Sequence, residues 1–321
     1  YSNLLSKNEK FFFFGEDIED PYGGAFKVAK GLSSKYSPRV FSTPISEAAI
    51  IGMAGGMAIK GLKPVVEIMF SDFLTLGADQ IINHITKFNE MYNKKVNLCL
   101  NIRTAVGGGR GYGPTHSQNM EKLFFGVENL SIYALSPFFP TEEAFNYIFN
   151  SSTTNLLIEG KKDYGKKVKL INNLLNGIFQ INYLMSSTNI YFNCSLTNFR
   201  NDNFTIITYG INISVCLEAL EELAIEHEVF GNLISPLKVS PLSLSPILSK
   251  ISNKLVFTCE ENSIKNGFGS ECLSILMEEE WSGKAYRIGN KGNIVPNAIK
   301  LEEKILLSKN HILEEILKRI K

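Results

Sequence analysis

An α/β protein built on a parallel sheet, followed by a second and smaller α/β unit, is the fold this sequence predicts, and three observations predict it. Short apolar runs closed by glycine, aspartate or proline alternate with helical segments from Phe11 to Glu159. The rhythm fades between Gly160 and Asn203, where lysine and asparagine clusters separate short apolar pieces, and it resumes at Phe204. Such alternation means parallel strands with helices on both faces. The 321 residues suffice for two domains, each with a core of its own.

Phe11 to Phe14, closed by Gly15, Glu16 and Asp17, reads as a fully buried strand. A loop through Pro21, Gly23 and Gly24 leads to a helix over 25–36 and a strand over 39–41. Thr43 and Pro44 then introduce a helix beginning near Glu47 and rich in small residues: Ala48, Ala49, Gly52, Ala54, Gly55 and Gly56. Pro44 suits a first turn, and Ser46 can offer an oxygen to free backbone donors. A helix with so little bulk is expected to be buried against another backbone. The strand over 64–69 runs into Phe70, Ser71, Asp72 and Phe73, and a helix over 77–92 carries Ile81, Ile82, Ile85 and Phe88 on one face. A strand over 96–102 empties into TAVGGGRGYGPTHSQ; a helix over 119–125, a strand over 131–135, a helix over 141–149 and a strand over 156–159 follow. In the second unit the pattern reads strand 204–210, helix 214–225, strand 228–234, helix 244–251 and strand 254–259. A glycine loop at Gly267 and Gly269, a helix over 270–279 and a last helix over 313–320 complete it; the charged EEILKRIK is a solvated face.

Composition excludes several classes. With 33 basic and 32 acidic side chains the formal net charge is +1, so no field for nucleic acid or a membrane surface is implied. No apolar run reaches the length of about 18 residues that a membrane span needs, and the start lacks a basic segment followed by an apolar one. The cysteines at 99, 194, 216, 259 and 272 are odd in number and never form CxxC, which reads as reduced thiols of a cytoplasmic protein.

Ligands of parallel α/β sheets collect beyond the carboxyl ends of the strands. Three such ends carry chemistry here: Glu47 after the second strand, Met69 to Phe73 after the third, and Gly107 to Gln118 after the fourth. Each has a plain structural reading as well: a helix-start carboxylate, core phenylalanines, a surface or structural histidine at His84. His116, in a glycine-rich loop, is less easily assigned to packing. GGGRGYG resembles a phosphate cradle but matches neither GxGxxG nor GxxxxGK[ST].

Five segments in order, GEDIEDPYGGAFKVAKGL, TPISEAAIIGMAGGMAIKGLKPVVEIMFSDF, ADQIINHITKF, RTAVGGGRGYGPTHSQ and CEENSIKNGFGSE, give the chain a further identity. It resembles the beta subunit of the 2-oxo acid dehydrogenase first component, of pyruvate dehydrogenase type, in the transketolase-like thiamine diphosphate superfamily. The resemblance spans nearly the whole chain. It implies a parallel-sheet pyrimidine-binding domain of thiamine diphosphate enzymes over 1–185, a linker over 186–203 and a smaller α/β transketolase C-terminal domain over 204–321.

On matching positions, the resemblance makes Glu47 the carboxyl that bonds the cofactor's pyrimidine nitrogen, Phe73 the aromatic packed on that ring and Met69 a pocket lining. His116 becomes the active-site histidine. Arg110 and Tyr112 are more than a plain glycine run needs and are candidate contacts to a carboxylate or phosphate of an unusual substrate, with a surface role as their alternative. Thiamine diphosphate and Mg2+ are implied. Gly-Asp-Gly, the start of the superfamily's diphosphate and metal site, is absent from the sequence, so Mg2+ is expected on an alpha subunit or upstream alpha domain. A start at Tyr1 rather than methionine keeps both arrangements open. A two-alpha two-beta assembly, a lipoyl acyltransferase partner and a small 2-oxo acid substrate follow from the same resemblance. Two departures stand out. The family's Pro-Gly-Leu is Glu128, Asn129, Leu130 here, and the potassium loop of some members, at the positions of Leu100, Ile148, Phe149, Ser151 and Thr153, has Ser151 where an acidic residue is usual. Two other classes are weighed: a transketolase-like carboligase with an aldehyde or sugar acceptor, and a non-catalytic regulatory homologue. Retention of both Glu47 and His116 argues against the last.

Overall fold

The computed structural model describes residues 1–96, 98–168, 170–197, 202–252 and 254–320. The aromatic run becomes β1 (Phe11–Gly15), and β2 (Val40–Ser42), β3 (Lys63–Ile68), β4 (Asn101–Val106), β5 (Leu130–Leu135) and β6 (Thr154–Gly160) follow in the first half. The second half holds β7 (Asn173–Leu174), β8 (Phe179–Met185), β9 (Ile190–Leu196), β10 (Phe204–Thr208), β11 (Gly231–Pro236), β12 (Lys238–Ser240), β13 (Leu255–Ser263) and β14 (Lys284–Asn290). Among the described residues they form two seven-stranded sheets, in the orders β12-β5-β6-β4-β3-β1-β2 and β14-β13-β10-β11-β9-β8-β7. The first is parallel except for β12, as the alternation predicts. The second is parallel from β14 to β11 and antiparallel from β9 to β7.

Several elements differ from expectation, each for a local reason. The expected linker over 186–203 holds β9, and the second sheet already begins at β7, before the boundary at 185. Alternating burial in β8, with Phe179 and Ile181 inward and Gln180 and Asn182 outward, is an antiparallel signature that a search for continuous apolar runs passes over. The helix expected over 25–36 shrinks to Leu32–Tyr36 because Gly23, Gly24, Lys27 and Gly31 take positive φ. Asp20 accepts from the Gly31 and Ser34 N–H groups at 2.7 and 3.0 Å, fastening that shorter start. The expected 77–92 helix, preceded by a 3-10 segment at Ser71–Gly77, becomes a wider π turn, Gln80–Ile85, and a short α turn, Phe88–Met91. There Ile81 and Ile85 are both buried against the Glu47–Ile59 helix, so packing sets the winding. Leu175 and Asn176, in the added hairpin, carry positive φ as well.

The Glu47–Ile59 helix turns Ile50, Ile51, Ala54, Gly55 and Ala58 inward, and Gly55 lies against Ile85. It is not buried all round: Gly52, Met53, Gly56 and Ile59 are exposed. Ser46 makes no side-chain cap. At the departure from the family pattern, Asn129 takes φ 60°, a conformation asparagine tolerates in place of glycine.

β4 starts five residues later than expected because its polar residues are satisfied inside the sheet. Asn155 Nδ2 donates 2.8 Å to Asn101 Oδ1. Arg103, in register with Glu67 on β3, pairs with that carboxylate and donates from Nη2 to Glu159 Oε2 at 2.6 Å. Tyr164 and Tyr1 hydroxyls donate to the same Glu159 carboxylate, each at 3.0 Å. One guanidinium thus serves two carboxylates across three strands. Burial pushes the Glu67 carboxyl up; at Glu159 burial is outweighed only by the charge and hydrogen bonds of Arg103 together with the Tyr164 and Tyr1 hydroxyls, which between them hold it down. Replacing Arg103 by Met leaves both carboxylates buried without their cation, and should lower the unfolding free energy by about 3–5 kcal/mol in urea titrations. Adding Glu67→Gln and Glu159→Gln should recover part of that loss.

Candidate active site

Glu47 is the first residue of its helix and is 6% exposed, with a positive helix end to favour its charge. Glu16, at the end of β1, faces it: burial first, then the charges of Glu47 and Asp17, push the Glu16 carboxyl up. Its Oε1 is buried without a partner among the described residues. A carboxyl disposed to keep its proton therefore stands beside Glu47.

The Glu47–Ile59 helix packs on the 71–77 segment, which carries Phe73. The Phe73 and His116 rings meet edge-on at 5.3 Å, Phe70 and His116 at 4.9 Å, and Phe70 and Tyr112 at 6.0 Å. Phe73, His116 and Tyr112 thus share one wall, and half-buried Met69 leads into it from β3. Arg110 lies farther out, donating 2.8 Å to the Lys161 carbonyl over the Phe26 ring. His84 is exposed beside Asp79, a surface histidine. The structure records no direct contact between the Glu47 carboxyl and the His116 ring; the 71–77 segment is what they have in common.

The loop carrying His116 is held from two sides. Asp72 accepts 2.9 Å from Gln118 Nε2, and Ser71 donates 2.5 Å to the Gln118 carbonyl. Lys161, fully buried just after β6, donates to the carbonyls of Gly107 at 2.7 Å and His116 at 2.5 Å. Burial pushes its ammonium down to about 8, against the pull of Asp72, Glu261 and Glu302. The glycine segment is no phosphate cradle, because carboxylates already fill it. Gly108 N–H donates 2.8 Å to Glu261, and Gly109 and Gly111 donate 2.8 and 2.9 Å to the two oxygens of Glu302. Gly107 and Gly109 have φ of 89° and 88°, where a side chain would be strained and would strike Glu261 or Lys162. The second glycine loop is filled likewise: Phe268 and Gly269 N–H donate to Glu260 at 3.1 and 3.0 Å.

A cavity of about 320 Å3 adjoins the loop, lined among others by Ser117, Gln118, Glu261 and Asn262. Ser117 Oγ is buried there without a partner among the described residues. Sequence reasoning missed Glu16, Asp72, Lys161, Glu261 and Glu302. Lys161 was readable as the residue just past the end of the sixth strand; Glu302 sits in a short helix far along the chain and left no signal.

The five positions implied for potassium lie at the opposite end of the sheet, and the carbonyls of four of them already face donors. The Leu100 carbonyl accepts from Asn155 N–H at 2.9 Å, and that of Ile148 from Asn155 Nδ2 at 3.1 Å. The Thr153 and Ser151 carbonyls face the Cys99 thiol at 2.8 and 3.6 Å. Burial pushes that thiol up to about 11, so it stays a donor.

Comparison with known proteins places the chain. The pattern of the family described as transketolase, pyrimidine binding domain, matches residues 1–165, and that of transketolase, C-terminal domain, matches 197–312. Pyruvate dehydrogenase E1 component subunit beta-1, mitochondrial, of Arabidopsis thaliana is 32% identical over 307 residues, 93% of this chain and 80% of that protein. Acetoin:2,6-dichlorophenolindophenol oxidoreductase subunit beta of Cupriavidus necator is 29% identical, over 78% of this chain and 72% of its own. Among solved structures, a split-gene transketolase described as an inactive beta4 tetramer superposes with a TM-score of 0.73 at 18% identity, covering 99% of this chain and 95% of its own, a likeness of fold.

Two expectations follow from this geometry. A lysine at about 8 in the fold and about 10.4 when unfolded binds fewer protons folded than unfolded between those values. Stability relative to Lys161→Met should therefore rise with pH across that window, by roughly 3 kcal/mol, in denaturant titrations at pH 7.5 and 10.5. With thiol and amide hydrogens on its carbonyls, the 148–154 segment should give the chain the same melting temperature in potassium chloride as in choline chloride of equal ionic strength.

Proposed function

The chain belongs to the transketolase-like family, in its branch of 2-oxo acid dehydrogenase first-component beta subunits, and from that premise we propose that it is the beta half of a thiamine diphosphate-dependent enzyme that decarboxylates a small 2-oxo acid. The observation that carries this reading is a buried carboxyl, Glu47, at a helix start next to the segment of Phe73, whose ring meets His116. Thiamine diphosphate, when bound, supplies the carbanion chemistry. Glu47 holds or shares the proton at the pyrimidine nitrogen; Phe73 and Met69 flank that ring and exclude water. Glu16, whose carboxyl is pushed up by burial and by the charge of Glu47, takes a proton more readily than an ordinary carboxyl, which eases the crowding of two charges in one dry place. His116, fixed through its carbonyl by Lys161 and with its Nδ1 2.9 Å from the Thr115 hydroxyl, keeps Nε2 to orient substrate or move a proton. Arg110 and Tyr112 stand farther out, where an incoming carboxylate passes.

The diphosphate and Mg2+ go to an alpha partner. Both glycine loops already spend their N–H groups on Glu260, Glu261 and Glu302, and the exposed face of Gly52, Met53, Gly56 and Ile59 suits close packing of a partner helix. Two alpha and two beta units, delivery of the acyl unit to a lipoyl acyltransferase and a reducing, cytoplasmic setting complete the proposal; the free thiols support the last.

Glu47→Gln in the assembled enzyme should leave folding intact and lower turnover by about two orders of magnitude or more; near-normal turnover at saturating cofactor removes Glu47 from the reaction. Calorimetric titration of this chain alone with thiamine diphosphate and Mg2+ should show little binding until the alpha partner is added. Tight Mg2+-dependent binding without a partner overturns the shared site.

A further inference from the structure

At the amino ends of β5 and β6, opposite the loops of His116, lies a cavity of about 430 Å3 that the proposed reaction does not use. Phe125, Val127 and Leu242 give it an apolar wall, and Ser131 and Thr153, whose hydroxyls meet at 2.9 Å, give it a polar one. Lys238, on β12, lines it too. The backbone of Lys238 is clamped on both sides by Asn189, whose Oδ1 accepts from its N–H at 2.8 Å and whose Nδ2 donates to its carbonyl at 2.7 Å. Among the described residues no carboxylate pairs with its ammonium. Burial alone pushes that ammonium down, with no opposing charge to restore it. A half-buried cation without a counterion is costly unless an anion shares its cavity.

We propose that this cavity binds a small organic monocarboxylate, its head group at Lys238 and the Ser131–Thr153 hydroxyls and its hydrocarbon body against Phe125, Val127 and Leu242. Glu128 and Glu271, exposed at the rim, oppose anions in proportion to their charge, so a doubly charged anion such as phosphate is disfavoured more than a monocarboxylate. The ligand thus has the chemical class of a short-chain acid, bound at a second site on the far side of the sheet.

Calorimetric titration of the full chain with sodium pentanoate tests this, with inorganic phosphate as the control anion. Saturable binding is expected, weakened by about tenfold or more in Lys238→Met and Lys238→Gln, retained in Lys238→Arg, and weaker for phosphate. Glu47→Gln should bind pentanoate as the unaltered chain does. Absence of saturable heat, affinity in both neutral Lys238 variants equal to that of the unaltered chain, tighter binding of phosphate, or loss in Glu47→Gln alone each overturns the proposal. Matching unfolding midpoints certify the variants as folded, and the paired Met and Gln variants guard against one of them failing to fold.

Discussion

The hydrogen bonds from the Gly108, Gly109 and Gly111 N–H groups to Glu261 and Glu302 are what the candidate site depends on. Backbone groups turned inward where left-handed Gly107, Gly109 and Gly111 alternate with ordinary residues need anions, and here the second half of the chain provides them. Because β13 delivers Glu261 and the Ile299–Glu302 helix delivers Glu302, the loop takes its form only when both halves are folded together. His116, five residues after Gly111, inherits its position from that clamp and from Lys161. The geometry of the candidate site beside the first sheet is in this sense set by the second.

Charge bookkeeping explains why the polar interior tolerates burial. Arg103 offsets one of its two carboxylates fully and leaves Glu67 the readier to take a proton. Lys161 rests on carbonyls, which it can serve as ammonium or as amine, so loss of its proton leaves the His116 loop in place. Glu260, pushed by burial up to about 7, is steadied by two N–H donors at a helix start. Arg103, Lys161 and Glu260 are each matched to hydrogen-bond partners rather than to bulk water, the condition under which such groups persist.

How much of this was legible depended on whether a residue's partners lie near it in sequence. The first sheet, with its apolar strands and intervening helices, was readable because parallel strands covered on both faces advertise themselves as continuous apolar runs; the 141–149 helix agrees end to end. The positions of Glu47, Phe73 and His116 at strand ends were readable for the same reason. What stayed hidden came from long-range satisfaction: Asn101 and Arg103 look too polar for a strand until Asn155, Glu67 and Glu159 are placed beside them. The strands β7 to β9 look like a connector until their hairpin finds β11. The exposed side of the small-residue helix could not be told from its buried side by composition, because glycine serves close packing and open surface alike.

β12 crosses from the second half to pair with β5, where Leu237 accepts from Ala134 N–H at 2.8 Å and donates to the Ile190 carbonyl at 2.8 Å. The first sheet therefore lacks its outer edge until residue 240 has left the ribosome, some 80 residues after its last parallel strand ends at Gly160. During synthesis β5 is an open edge able to accept a foreign strand. A truncated product ending between the two halves would carry that edge permanently, and the chain's own later segment acts as its edge protector.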